Sequence, residues 1–155
     1  MRKRSRYRPR AVFVNPVAYV LEGFTPVSRH GQYLIDLKIK NHSAMAALTR
    51  GQATQAEIEL LISCANITEA LYRMGFGGEY GDVVKQGQDS LVAVGRRGVQ
   101  TGKFILKAQE MSALNQLMEL HDAQMEVITI KDMEQAVAIV KKEFEQKKMR
   151  SIVEK

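Results

Sequence analysis

The chain has no tryptophan, a single cysteine, and no acidic residue among its first ten. It also lacks any run of about 18 apolar residues, which excludes an ordinary membrane-spanning helix. The basic N-terminus is not followed by an apolar stretch of signal-peptide character, because Asn15, Pro16 and Glu22 interrupt it. Cytoplasmic placement is therefore the expectation. Cys64 alone makes no internal disulfide, which fits a reducing compartment, and its neighbours mark it as core filling. At 155 residues the chain is long enough to bury one core without a disulfide or a structural metal. With 45% hydrophobic and 26% charged residues, its body has the composition of a globular domain.

The net charge of +6 is unevenly placed. Arg2, Lys3, Arg4, Arg6, Arg8 and Arg10 supply six cations, and the remaining chain holds 17 basic against 17 acidic residues. A weaker basic region closes the sequence, where Lys147, Lys148 and Arg150 follow Lys141 and Lys142. Like charges without apolar periodicity predict a disordered arm over residues 1–10, a helical domain over 11–146 and a basic tail over 147–155.

Periodicity makes that domain all-α, a single-domain bundle of about five helices. Asn15, Pro16 and Gly23 frame a short helix over 16–22, and Pro26 and Gly31 bracket a loop that holds His30. Leu34, Leu37, Ala44, Met45 and Leu48 predict a helix over 32–50. Thr54 with Glu57 is a capping box that opens a helix carrying apolar residues on more than one side, the candidate for the most buried. The GFGGEYG string at 75–81 is a hinge by composition. A helix over 80–97 follows, weakened by Gly87 and Gly95 or packed closely through them, and 98–103 reads as a loop. Met111, Leu114, Met118, His121, Met125 and Ile128 form a heptad-like stripe. Thr129 and Asp132 resemble a second capping box, and Met133, Val137, Val140 and Phe144 share one face of the last helix.

Several strings come near chemical motifs. GVQTGK at 98–103 is one residue short of a P-loop, and Phe104 stands where the magnesium-binding Ser or Thr belongs. The glycines of GFGGEYG follow a helix where a dinucleotide fingerprint needs a strand. His30, His42, His121 and Cys64 are scattered, so no metal or other cofactor is expected; in the local set Glu119, His121, Asp122 and Glu126, the histidine lies on the apolar stripe and reads as structural. Cys64 sits among Ile62, Ala65 and Ile67, a setting that hides a thiol. Nothing argues for catalysis, and the chain is expected not to be an enzyme. The methionine stripe reads first as core, with a homo-oligomer seam through the 111–128 helix as the alternative use.

The arm carries the sharpest functional signal. Six cations interleaved with Tyr7 suit phosphate neutralisation and base stacking, and five arginines to one lysine favour bidentate recognition over mere solubility. An acidic protein surface would satisfy the same cations, and a solubilising tail is the plain alternative. The strings MRKRSRYRPR, NPVAYVLEG, LKIKNHSAM, NITEALYRMGFG and MELHDAQMEV together resemble a group of short proteins encoded by phages and prophages of proteobacteria. That resemblance brings no catalytic residue with it, and implies a protein made in an infected or lysogenic bacterium. The expected function is a non-enzymatic phage accessory or regulatory protein that binds DNA or RNA through Arg2, Lys3, Arg4, Arg6, Tyr7, Arg8 and Arg10, with Lys147, Lys148 and Arg150 as a second zone. The alternative is an inhibitor of a host defence or transcription machine that binds a host protein through an acidic surface.

Overall fold

Local capping signals decide where the helices begin. In the computed structural model, which describes residues 23–29 and 31–146, the Thr54 N–H donates to Glu57 Oε2 at 2.7 Å and the Ala56 N–H to Thr54 Oγ1 at 3.3 Å. The same reciprocal arrangement joins Thr129 and Asp132, at 2.8 Å and 3.2 Å. These two boxes satisfy backbone donors that the first helical turn leaves unpaired. Five α-helices result: α1 over Gly31–Thr49, α2 over Gln55–Arg73, α3 over Gly81–Thr101, α4 over Ala108–Val127 and α5 over Ile130–Glu145. No helix among the described residues is long and apolar enough to cross a membrane.

The helices form an all-α bundle. α2 touches the four others, in keeping with apolar residues on more than one of its sides. α3 packs along α4, α1 lies against α2 and α4, and α5 crosses α2. One buried cluster joins Leu48, Leu61, Val94 and Leu114; a second joins Leu71, Met125, Ile128 and Ala136. A 3-10 turn at Val27–Arg29 pins the incoming chain to the α4–α5 junction. There Val27 N–H donates to Ile128 O and Ile130 N–H to Thr25 O, both at 3.0 Å. The helix expected over 16–22, His30, the arm over 1–10 and the tail over 147–155 lie outside the described residues.

One expectation changes. The 98–103 string is not a loop: α3 runs on to Thr101 and ends at Gly102, whose φ of 75° is a left-handed cap open to glycine. Gly98 within α3 has to be glycine because the Phe104 ring folds back onto it and occupies the space of a side chain. Gly87 has the same cause. A Cβ there would come within 2.9 Å of Leu117 Cβ and 2.7 Å of Leu117 Cδ2, so this glycine marks the close approach of α3 to α4.

Phe144 shares the face of Val140 without its cover. Met133 and Ala136 are buried, Val137 and Val140 half-buried, but Phe144 is 74% exposed because the end of α5 overhangs its support on α2. Along α4, Leu114, Met118, His121, Met125 and Ile128 are buried by the chain itself, with Met111 at the edge. A homo-oligomer seam through this stripe would have to unpack that core.

Candidate functional site

Every residue expected to contact nucleic acid, namely Arg2, Lys3, Arg4, Arg6, Tyr7, Arg8, Arg10, Lys147, Lys148 and Arg150, lies outside the described residues. What the structure does define is the electrostatics of the body between them. Residues 23–146 hold 13 basic and 15 acidic side chains, a net charge of −2. Several of those cations are already engaged. Lys38 Nζ lies 2.6 Å from Glu126 Oε1, Lys85 Nζ 2.6 Å from Asp89 Oδ2, and Arg73 grips both oxygens of Glu143 at 2.7 and 2.9 Å. Arg97 holds Glu110 with two nitrogens, at 2.7 and 3.1 Å, and also donates to Ile105 O. Each partner raises the basicity of Lys38, Arg73 and Arg97 through its hydrogen bond.

An open cleft of about 910 Å³ lies between α2 and α3, with the end of α5 lining part of it. Its apolar walls come from Ile58 and Ile62 on α2, Leu91, Val92 and Val99 on α3, with Phe104 beyond, and Val140 and Phe144 on α5. Its charged lining is mainly acidic: Glu59, Glu69, Glu143 and Glu145 stand against a single cation, Lys141. Gln55 and Gln88 donate amide hydrogens to Glu59 and Glu69, both at 2.7 Å. Such a surface has the chemistry to hold an amphipathic, cationic segment.

A second polar group is sealed inside. Thr68 Oγ1 donates to Cys64 O at 2.8 Å and meets His121 Nδ1 at 2.9 Å, while Gln124 Nε2 donates to the Thr68 and Phe76 carbonyls at 3.2 and 3.0 Å. Asn41 Nδ2 lies 3.7 Å from Cys64 Sγ. Burial pushes the Cys64 thiol up to about 12 and lowers His121 to about 4. A thiol so protonated and enclosed is a poor nucleophile, which agrees with its reading as core filling. The local acid–histidine set disperses into structural pairs: Asp122 meets His42 at 2.8 Å, Glu126 takes Lys38, and His121 faces inward. Among the described residues no group of three or more His, Cys, Asp or Glu is placed to hold a metal ion.

The cleft was not visible in the sequence. Ile58, Ile62, Leu91 and Val92 share the spacing of ordinary core positions, and only the short reach of α5 leaves a groove beside them. No protein-family model, curated protein or solved structure matches the chain.

Proposed function

We propose that this is a non-enzymatic phage accessory or regulatory protein that binds nucleic acid through its cationic ends, with the helical bundle as a scaffold. The observation that supports this is the segregation of charge. The body carries −2 and four of its 13 basic side chains sit in ion pairs, whereas residues 1–10 carry +6 and residues 147–155 carry four cations against one acid. A polyanion therefore meets attraction at the ends and mild repulsion along the body. Contacts to phosphates release condensed counterions, so binding is salt-dependent and weakly sequence-specific. Arg2, Arg4, Arg6, Arg8 and Arg10 suit bidentate phosphate contacts, and Tyr7 suits stacking on an unpaired base.

The test is an anisotropy titration of labelled single-stranded DNA, duplex DNA and RNA at two salt concentrations. It compares the full chain with a variant in which Arg2, Lys3, Arg4, Arg6, Arg8 and Arg10 are all glutamine. Affinity should fall steeply with salt and collapse in the variant; unchanged affinity in the variant overturns the reading. Recovery of a protein partner from nuclease-treated host lysate, with no nucleic-acid binding, would favour the inhibitor of a host machine instead.

A further inference from the structure

The end of α5 lines the cleft between α2 and α3. Phe144 and Glu145 are the last residues of α5 to line it, and Gln146 leaves helical geometry with ψ at 2°. The nine residues that follow, 147–155, therefore start at the edge of an open apolar groove. We propose that this groove is the docking site of the chain's own C-terminal segment.

Three observations carry the assignment. The first is charge. The cleft presents Glu59, Glu69, Glu143 and Glu145 with only Lys141, and the segment presents Lys147, Lys148, Arg150 and Lys155 with only Glu154. Glu143 answers Arg73 directly and Glu69 also feels the Arg73 charge, whereas Glu59 accepts only from the neutral Gln55 amide. The second is apolar match. Met149, Ile152 and Val153 recur at spacings of three and four, the period of a helix face, opposite walls of Ile62, Leu91 and Val92. The third is reach. Along α2 the cleft runs from Gln55 to Glu69, about 21 Å of helix. Nine residues as a helix span about 13 Å, so the segment covers the part of the cleft next to α5 rather than its whole length. Being tethered at its edge, it also meets the groove at a high effective concentration, which a free partner lacks. The assignment does not depend on what the N-terminal arm binds, but a docked segment withholds Lys147, Lys148 and Arg150 from phosphates, so the cleft and a nucleic acid compete for them.

The experiment uses the full chain with Ile152→Cys carrying a nitroxide spin label. Cys64 is enclosed and its thiol stays protonated, so only the introduced cysteine is labelled. Methyl signals of Ile62, Leu91 and Val92 should lose most of their intensity, while those of Ile35 and Ile39, exposed on α1, keep theirs. Charge reversal by Glu59→Lys with Glu69→Lys should restore the lost signals without changing the helical circular dichroism. Uniform or absent broadening overturns the proposal. So does broadening that arises only between a spin-labelled chain and a separate isotope-labelled chain, which would make a second copy the occupant.

Discussion

Thr68 Oγ1 and His121 Nδ1 lie 2.9 Å apart across the α2–α4 interface, and this one contact fixes the state of the only histidine buried among the described residues. The Thr68 hydroxyl spends its proton on Cys64 O, so it accepts from His121 Nδ1–H. Nε2 is then the bare nitrogen, and it meets no partner among the described residues. Protonating it would place an N–H in an apolar enclosure without an acceptor.

Stability should therefore depend on pH above the carboxylate range. His121 is lowered from 6.5 to about 4, first by burial and then by the charges of His42 and Lys38, against the opposing pull of Asp122. The unfolded chain binds the proton more readily than the folded one, so the stabilisation is complete above 6.5 and is lost as pH falls toward 4. The full span corresponds to about 3 kcal/mol. Urea titrations between pH 7 and pH 4.5 should show a declining midpoint, and His121→Met should flatten the decline. His42→Gln, which removes the exposed histidine paired with Asp122, should leave most of it in place. An unchanged slope in His121→Met would assign the effect elsewhere.

Gly87 tests the close packing of α3 on α4. An alanine is favoured over glycine in a helix by about 1 kcal/mol. Here its Cβ would press on Leu117 Cβ, an atom fixed to the α4 backbone, so the helices must separate. Overpacking of this kind costs about 1–3 kcal/mol, and the net change should be destabilising. Leu117→Ala in the same chain should recover part of that loss, a coupling that a double-mutant cycle reads directly.

How far this fold could be read in advance depended on the range of the forces involved. Thr54 with Glu57 and Thr129 with Asp132 act within one turn, so their spacing located the starts of α2 and α5. The extension of α3 through Gly98 could not be read, because what makes glycine necessary there is Phe104, returning after the helix has ended. Phe144 was placed correctly on the face of Val140, but periodicity does not tell how far the neighbouring helix supports that face. The cationic residues were legible from composition alone, whereas the acidic cleft joins residues from three helices that no local pattern connects.

Cys64 should be silent until the fold opens. It is 4% exposed, packed near Met118 Sδ at 3.9 Å, with its thiol pushed up to about 12, so the thiolate that reacts with disulfide reagents is scarce as well as inaccessible. Titration with an aromatic disulfide at pH 8 should detect no thiol in the native chain and one in guanidinium. Rapid native reaction would show that the α2–α4 interface opens locally.

Glu110 serves two structures at once, and its removal separates an ion pair from a cap. One oxygen accepts from the Lys107 N–H at 2.8 Å, closing the first turn of α4, while both oxygens meet Arg97 on α3. The Arg97 hydrogen bond holds this carboxyl below the usual range, with a smaller contribution from the Lys107 N–H. Glu110→Ala loses both contacts and leaves a half-buried guanidinium beside Ile105 O alone, at a cost of about 2 kcal/mol. Glu110→Gln keeps an acceptor for the Lys107 N–H and should lose about half as much. Arg97→Lys offers a single nitrogen to a site built for a planar fork, and about 1 kcal/mol should go with it. Urea midpoints with unchanged slopes would measure all three. Equal losses in Glu110→Ala and Glu110→Gln would mean that the α3–α4 ion pair alone, and not the cap, stabilises this end of the bundle.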